Sequence, residues 1–377
     1  MCMDCSRKKI HYNMKRSLVC LSLVIGIIFT SCKDDSSLTK NVNFDRTALL
    51  TNYATKIIPA NYERLNASVE NLNSAWTTFK SDEQEGALLE LQNAFVLVYK
   101  NWQYCSVYEF GPAEQVLLRA NLNTFPCDTF QIGSNIRTQN YNLGTASNLD
   151  AKGLPALDYL FFAKSSSSEI ITNLSDTKTQ SYIDALLADL SDKVSFVNTA
   201  WTSGNYAAQF ISKNGVDVGS SLGVLVNQLN FDYEIIKNPK VGIPLGKKSM
   251  GAILPEMTEA YYSGISKELI LLNIQSTFNN FNGIDAAMND GIGLDDYLRA
   301  VDAKHNGTAL DVKINEQLMN AKAKVQTLPA NLSEAIKTNP TLVEEAYNEI
   351  QKAIIYLKTD MPSALGIMIT YQDNDGD

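Results

Sequence analysis

The sequence predicts an all-α protein of two helical, four-helix-like bundles that form a distant internal repeat. Three observations carry this. Apolar residues recur at steps of three and four along several stretches, which lays one apolar stripe down each helix. Period-2 alternation with β-branched residues is nearly absent. A short echo, Asn73-Ser74-Ala75-Trp76-Thr77 against Asn198-Thr199-Ala200-Trp201-Thr202, recurs 125 residues later and hints at two halves.

At the N-terminus, Lys15 and Arg16 precede Leu18–Phe29, a run of 12 apolar-to-neutral residues, and then Thr30-Ser31-Cys32. This reads as a secretory signal ending in a lipobox, with Cys32 acylated as the first mature residue. The run falls short of the roughly 20 residues a membrane-spanning helix needs. The alternative is an ordinary signal peptide with a coincidental cysteine. Residues 1–31 are then a signal peptide with an N-terminal extension, Met14 being the expected start, and residues 32–43 are the lipidated cysteine and its tether. The expected location is the cell envelope, lipid-anchored to the outer membrane, with surface exposure left open by Lys33-Asp34-Asp35, which is equally a plain solvated linker.

Removing residues 1–31, which carry +4, takes the net charge from −9 to −13. So acidic a chain repels phosphate backbones, and nucleic acid is not an expected partner. Of six cysteines, only Cys105 and Cys127 remain in the body of the mature chain. In an oxidising envelope they form either a disulfide or two free thiols. The mature chain keeps one histidine, His305, in the polar turn Ala303-Lys304-His305-Asn306-Gly307. One imidazole builds neither an HExxH helix nor a three-histidine zinc site.

The helices follow in order. Pro59 opens the first long one, whose stripe is Tyr62, Leu65, Val69, Leu72, Trp76 and Phe79. Ser81-Asp82-Glu83 starts the second, striped by Leu88, Leu91, Phe95, Val98, Trp102 and Cys105, and Gly111-Pro112 stops or kinks it. Four serines, 165–168, follow another apolar helix. A third stripe runs Ile183, Leu186, Leu190, Val194, Val197 and Trp201. Further helices are expected over 221–236, 311–326 and 342–358. The breaker-rich Asn238–Gly246 reads as a long loop and a candidate functional surface. The first bundle is placed at 44–203 and the second at 204–377.

Several blocks resemble the imelysin-like family. They are Lys152-Gly153-Leu154-Pro155-Ala156-Leu157-Asp158-Tyr159-Leu160-Phe161-Phe162, then Lys237-Asn238-Pro239 through Pro244-Leu245-Gly246, then Glu259-Ala260-Tyr261-Tyr262-Ser263-Gly264, and an ending Ala364–Thr370 with Asp375-Gly376-Asp377. The resemblance implies two bundles that are distant repeats, with a site at their junction. It also implies either an insulin-cleaving envelope peptidase or an accessory lipoprotein of iron uptake. The family's hallmark is a GxHxxE pattern. Here Gly153 matches the glycine, Pro155 stands where histidine would be and Asp158 stands where glutamate would be. Losing the imidazole removes a neutral nitrogen ligand and a general base.

Asp158 either stabilises the start of its helix, while Leu157, Leu160 and Phe161 pack the core, or presents a carboxylate to a cleft between the bundles. Glu109, among Tyr108 and Phe110, and Glu259, in a block with Tyr262 and Ser263, are the carboxylates that could join it. Such an oxygen-rich site suits iron or another hard cation, with Asp158 as the metal ligand. The terminal Asp373–Asp377 fails the calcium-loop pattern. The expectation is an envelope lipoprotein that binds without catalysis, its partners the membrane through Cys32 and a metal ion or an outer-membrane transport protein. The alternative is an envelope metallopeptidase.

Overall fold

The computed structural model describes residues 44–371; the signal peptide, Cys32, the tether and the acidic tail at 373–377 lie outside them. The chain begins with α1 (Arg46–Asn52), which passes through a π-helical turn (Tyr53–Ile57) into α2 (Ile58–Ser81). Then come α3 (Glu85–Cys105), the short α4 (Pro112–Gln115) and α5 (Leu118–Leu122), α6 (Thr129–Thr138), α7 (Gly153–Phe162), α8 (Ser167–Leu174) and α9 (Thr177–Thr202). The second half holds α10 (Tyr206–Ser212), α11 (Ser221–Ile235), α12 (Ser266–Phe281), α13 (Leu294–Ala300), α14 (Leu310–Gln326), α15 (Leu332–Thr338), α16 (Pro340–Ile354) and α17 (Met361–Leu365).

All three predicted stripes are buried along their whole length. That burial is what sets α2, α3 and α9 side by side in one bundle, with α7 against α3 and α9. In the second bundle α12, α14 and α16 pack in series and α11 closes on α12. The main seam between the two is α3 against α12. Side chains accept from the exposed first-turn amides at many helix starts, among them Asp45, Asp128, Asp176, Ser220 and Asn339.

Several expectations are corrected. Ser81 completes α2, and α3 starts at Glu85, so Asp82 and Glu83 form the turn between them. The Ala-Trp-Thr echo lies on α2 and α9, which are neighbours in one bundle. There Asn73 donates to Ser191 and the Trp76 indole donates to Asp184 at 2.7 Å, so the echo marks paired helices rather than paired bundles. The stretch read as a long loop begins instead as a π-helical turn, Ile236–Gly242, continuous with α11 and carrying Pro239 inside it. A third π turn, Ile355–Asp360, precedes Pro362, and the first precedes Pro59. Proline has no N–H for the α-helical ladder and crowds the preceding turn, and a wide turn relieves both.

Among the described residues the only strands are Lys304–His305 and Thr308–Ala309, paired antiparallel around Asn306-Gly307. Both turn residues have positive φ, 49° and 82°, as a tight hairpin turn requires. His305 Nδ1 lies 2.7 Å from Asp360 Oδ2. The first described residues reach across to the second bundle. Phe44 stacks on Tyr297, Asn52 donates to the Gly283 and Ile292 carbonyls, and the Tyr53 hydroxyl donates to the Asn280 carbonyl.

Candidate functional site

Gly153 opens α7 with φ of +69°, and a Cβ there would meet the Leu122 carbonyl oxygen at 2.4 Å. Only glycine lets this turn lie against the end of α5. Pro155 then sits in the first turn of α7, where its missing N–H costs nothing. One turn on, Asp158 is 1% exposed. It neither caps its own helix nor faces open solvent. Its Oδ2 accepts from the Tyr262 amide at 2.9 Å and its Oδ1 from the Ser263 amide at 3.1 Å. Asp158 therefore clamps the 258–264 segment onto the first bundle. Burial pushes its carboxyl up to about 6, against the pull of the two amides.

Glu259, in the same segment, is 1% exposed and forms a buried ion pair with Lys240 at 3.0 Å. The pair is embedded in amides. Lys240 donates to Gln103 Oε1, Gln103 donates back to Glu259 at 3.3 Å, and Asn123 donates to Glu259 at 2.7 Å. The Tyr99 hydroxyl in turn holds Asn123 at 2.7 Å. A buried pair keeps its geometry only when its remaining valences are met in this way.

Glu109 stands apart from both. Its Oε2 accepts from the Arg119 backbone amide at 2.9 Å, and burial raises its carboxyl while the Arg119 charge opposes that rise. Arg119 is braced by the Ser106 carbonyl at 2.6 Å and Gln228 at 3.1 Å, with its guanidinium over the Phe231 ring. The predicted carboxylates thus occupy three distinct settings: a clamp at Asp158, an ion pair at Glu259 and a cavity rim at Glu109.

That rim belongs to a cavity of about 400 Å³ at the junction of the two bundles. The first bundle contributes Trp102, Glu109, Arg119, Asn123 and Phe125; the second contributes Phe231, Asp232, Ile235, Lys240 and Asn273. Pro155, Asp158 and Tyr262 line a much smaller crevice of about 20 Å³, and Phe125 is shared by both. Sequence reasoning missed Arg119, Asp232 and Asn273, and reached Lys240 only as part of the Asn238–Gly246 stretch. For Asp232 a signal existed: Leu222, Leu225, Leu229, Asp232 and Ile236 step by 3, 4, 3 and 4, so a carboxylate occupies a core position of α11.

Cys105 and Cys127 do not form the disulfide that was one of the two expectations; both are free thiols. Cys105 is buried at the end of α3 near Tyr62 and Arg64, whereas Cys127 lies by Asp158 and Tyr262. Burial raises both thiols, Cys127 to about 12.

As a ligand set for a resident metal these residues do not fit. Pro155 offers no donor, Asp158 is 1% exposed with each oxygen held by an amide, and Lys240 neutralises Glu259. Among the described residues no three His, Cys, Asp or Glu side chains gather around one point.

The sequence model of the imelysin family, peptidase M75, matches residues 58–358. Two solved structures share the fold. One is described as an iron-regulated protein A precursor from Parabacteroides distasonis ATCC 8503, with TM-score 0.68 and 13% identity, covering 85% of this chain and 95% of that one. The other is an imelysin-like protein from Psychrobacter arcticum 273-4, with TM-score 0.65 and 16% identity, covering 86% and 97%. No curated protein matches the sequence.

Proposed function

The chain belongs to the imelysin family, and from that membership we propose that it is a non-catalytic binding protein of the cell envelope, accessory to iron uptake, that holds its ligand in the cavity between the bundles. The lipid on Cys32 tethers it to the outer membrane beside a transport protein. The iron link rests on the family resemblance and on the Parabacteroides relative described as iron-regulated.

The observation that carries the binding reading is the state of Asp158. At the position where the family pattern has glutamate, both carboxylate oxygens are held by the Tyr262 and Ser263 amides. A group so engaged, and 1% exposed, acts as a structural clamp. Near it lies a partly open cleft in the size range of small-molecule sites, walled by aromatics and a few charged groups. The metallopeptidase alternative needs the buried Asp158 opened to solvent and joined by further ligands, and among the described residues no such group gathers.

The test uses the soluble form starting after Cys32, isolated from iron-starved cells and examined by native mass spectrometry beside Ala120→Trp, which fills the cavity. A retained small molecule that Ala120→Trp lacks supports the reading. Equal occupancy in both forms, or none in either, overturns it. Cleavage of insulin that disappears in Asp158→Ala would establish the peptidase instead.

A further inference from the structure

Resting on the reading of this cavity as a ligand site, we infer that it recognises a small organic ammonium ion, docked on Asp232 and Asn273 with its carbon skeleton against Trp102 and Phe125. Asp232 is 1% exposed and Asn273 is fully buried, and both line the cavity. Asn273 Nδ2 donates to Asp232 Oδ2 at 2.6 Å. That leaves Asp232 Oδ1 and Asn273 Oδ1, two buried acceptors on hydrogen-bonded neighbours, without a hydrogen-bond partner. Buried acceptors are normally paired, so these side chains call for a donor from outside the chain.

Charge decides the kind of donor. The two cations lining the cavity are each engaged elsewhere: Lys240 with Glu259, and Arg119 with Ser106, Gln228 and the Phe231 ring, beside Glu109. The Asp232 carboxylate accepts its hydrogen bond from neutral Asn273. A cation is therefore favoured there and a carboxylate or phosphate repelled. An ammonium carries up to three N–H donors, enough for an open acceptor on each of the two side chains.

The walls decide between a metal and an organic ion. Hard cations take six or more oxygen ligands, or an octahedron completed by water, and these side chains offer two. Most of the exposed wall is apolar, and Trp102, Phe125, Ile235 and Pro239 offer a surface for a carbon skeleton. Aromatic faces beside a desolvated carboxylate suit an organic cation.

The test is saturation-transfer NMR with phenethylammonium and 3-phenylpropionate, which share a ring and differ in the sign of the terminal charge. On the wild-type chain, phenethylammonium should bind saturably and at least tenfold more tightly than 3-phenylpropionate. Asp232→Asn keeps the shape and a partner for Asn273, and should weaken phenethylammonium at least tenfold without lowering the thermal midpoint. Absence of phenethylammonium binding, equal binding of the two probes, or an unaffected Asp232→Asn each overturns the inference. So does displacement of the amine by equimolar calcium or iron(III). The two-probe comparison on the wild-type chain does not depend on any variant folding. A cellular ligand that Ala120→Trp excludes but that carries no amine would overturn the ammonium and leave the binding function standing. No such ligand, together with no amine binding, would overturn both.

Discussion

Asp158 of α7 and Tyr262, 104 residues later in the chain, are joined by a 2.9 Å hydrogen bond from the Tyr262 amide to the Asp158 carboxylate. With the neighbouring Ser263 amide it makes the altered motif a fastening between the two halves of the molecule. Truncating it strands two part-buried donors. Asp158→Ala should lower unfolding stability by about 2–4 kcal/mol, read as a lower urea midpoint with an unchanged slope. A midpoint within experimental scatter of wild type would mean the clamp does not hold the segment.

The same carboxyl gives a pH dependence of unusual sign. Folded Asp158 keeps its proton up to about 6, whereas its ordinary value is 3.8. Between those values the native state binds more protons than the unfolded chain, so stability falls as pH rises from about 4 to about 6 and levels off above. The Asp158 share is roughly 3 kcal/mol. Burial raises Asp295 to about 6 as well, so it acts in the same window. Asp158→Asn and Asp295→Asn should each flatten part of that slope in urea titrations across pH 4–7. A wild-type stability that climbs over this range would contradict both assignments.

Gly153→Ala places a methyl against the Leu122 and Asn121 carbonyls and forces a left-handed backbone on a residue with a Cβ. The strain of the conformation alone is about 1–3 kcal/mol, and the clash adds to it. A thermal midpoint several degrees lower is expected, whereas an unchanged one would mean that α7 shifts freely away from α5.

Lys240 and Glu259 should show strong coupling. Glu259→Gln or Lys240→Met alone leaves one buried charge unpaired, at a cost of about 3–5 kcal/mol. The double variant removes both charges and should cost much less than the sum of the two. Additive effects in a double-mutant cycle would show that the two side chains do not depend on each other.

Cys105 and Cys127 should both carry alkyl groups after denaturation without reductant, seen as two adducts by mass spectrometry. In the native protein at neutral pH both should react slowly, because burial holds each as the thiol. An unreduced, denatured chain that takes up no label would restore the disulfide.

The helices were legible because their stripes are continuous. Tyr62 through Phe79 and Ile183 through Trp201 each bury every predicted residue. The π turns were not, because proline reads as a breaker wherever it stands, and only tertiary packing shows that Pro239 rides inside a widened helix. The resemblance led to the correct segment around Asp158 but not to its role, which depends on amides more than a hundred residues away. Asp232 carried a visible mark, a carboxylate at a core position, and no spacing rule tied it to Asn273. The pairing of Cys105 and Cys127 was undecidable from spacing alone, since the end of α3 and the segment before α6 face different surroundings.

The reach of Asn52 to the carbonyls of Gly283 and Ile292 spans more than 230 residues of chain. The first of the described helices therefore waits for a surface that is synthesised late. Such distant closure is slow, because the entropy of the long intervening loop is lost before the contacts repay it. Docking of the 44–53 segment is then expected late in folding, and until it docks, the carbonyls of 283 and 292 and the face of Tyr297 are left to solvent.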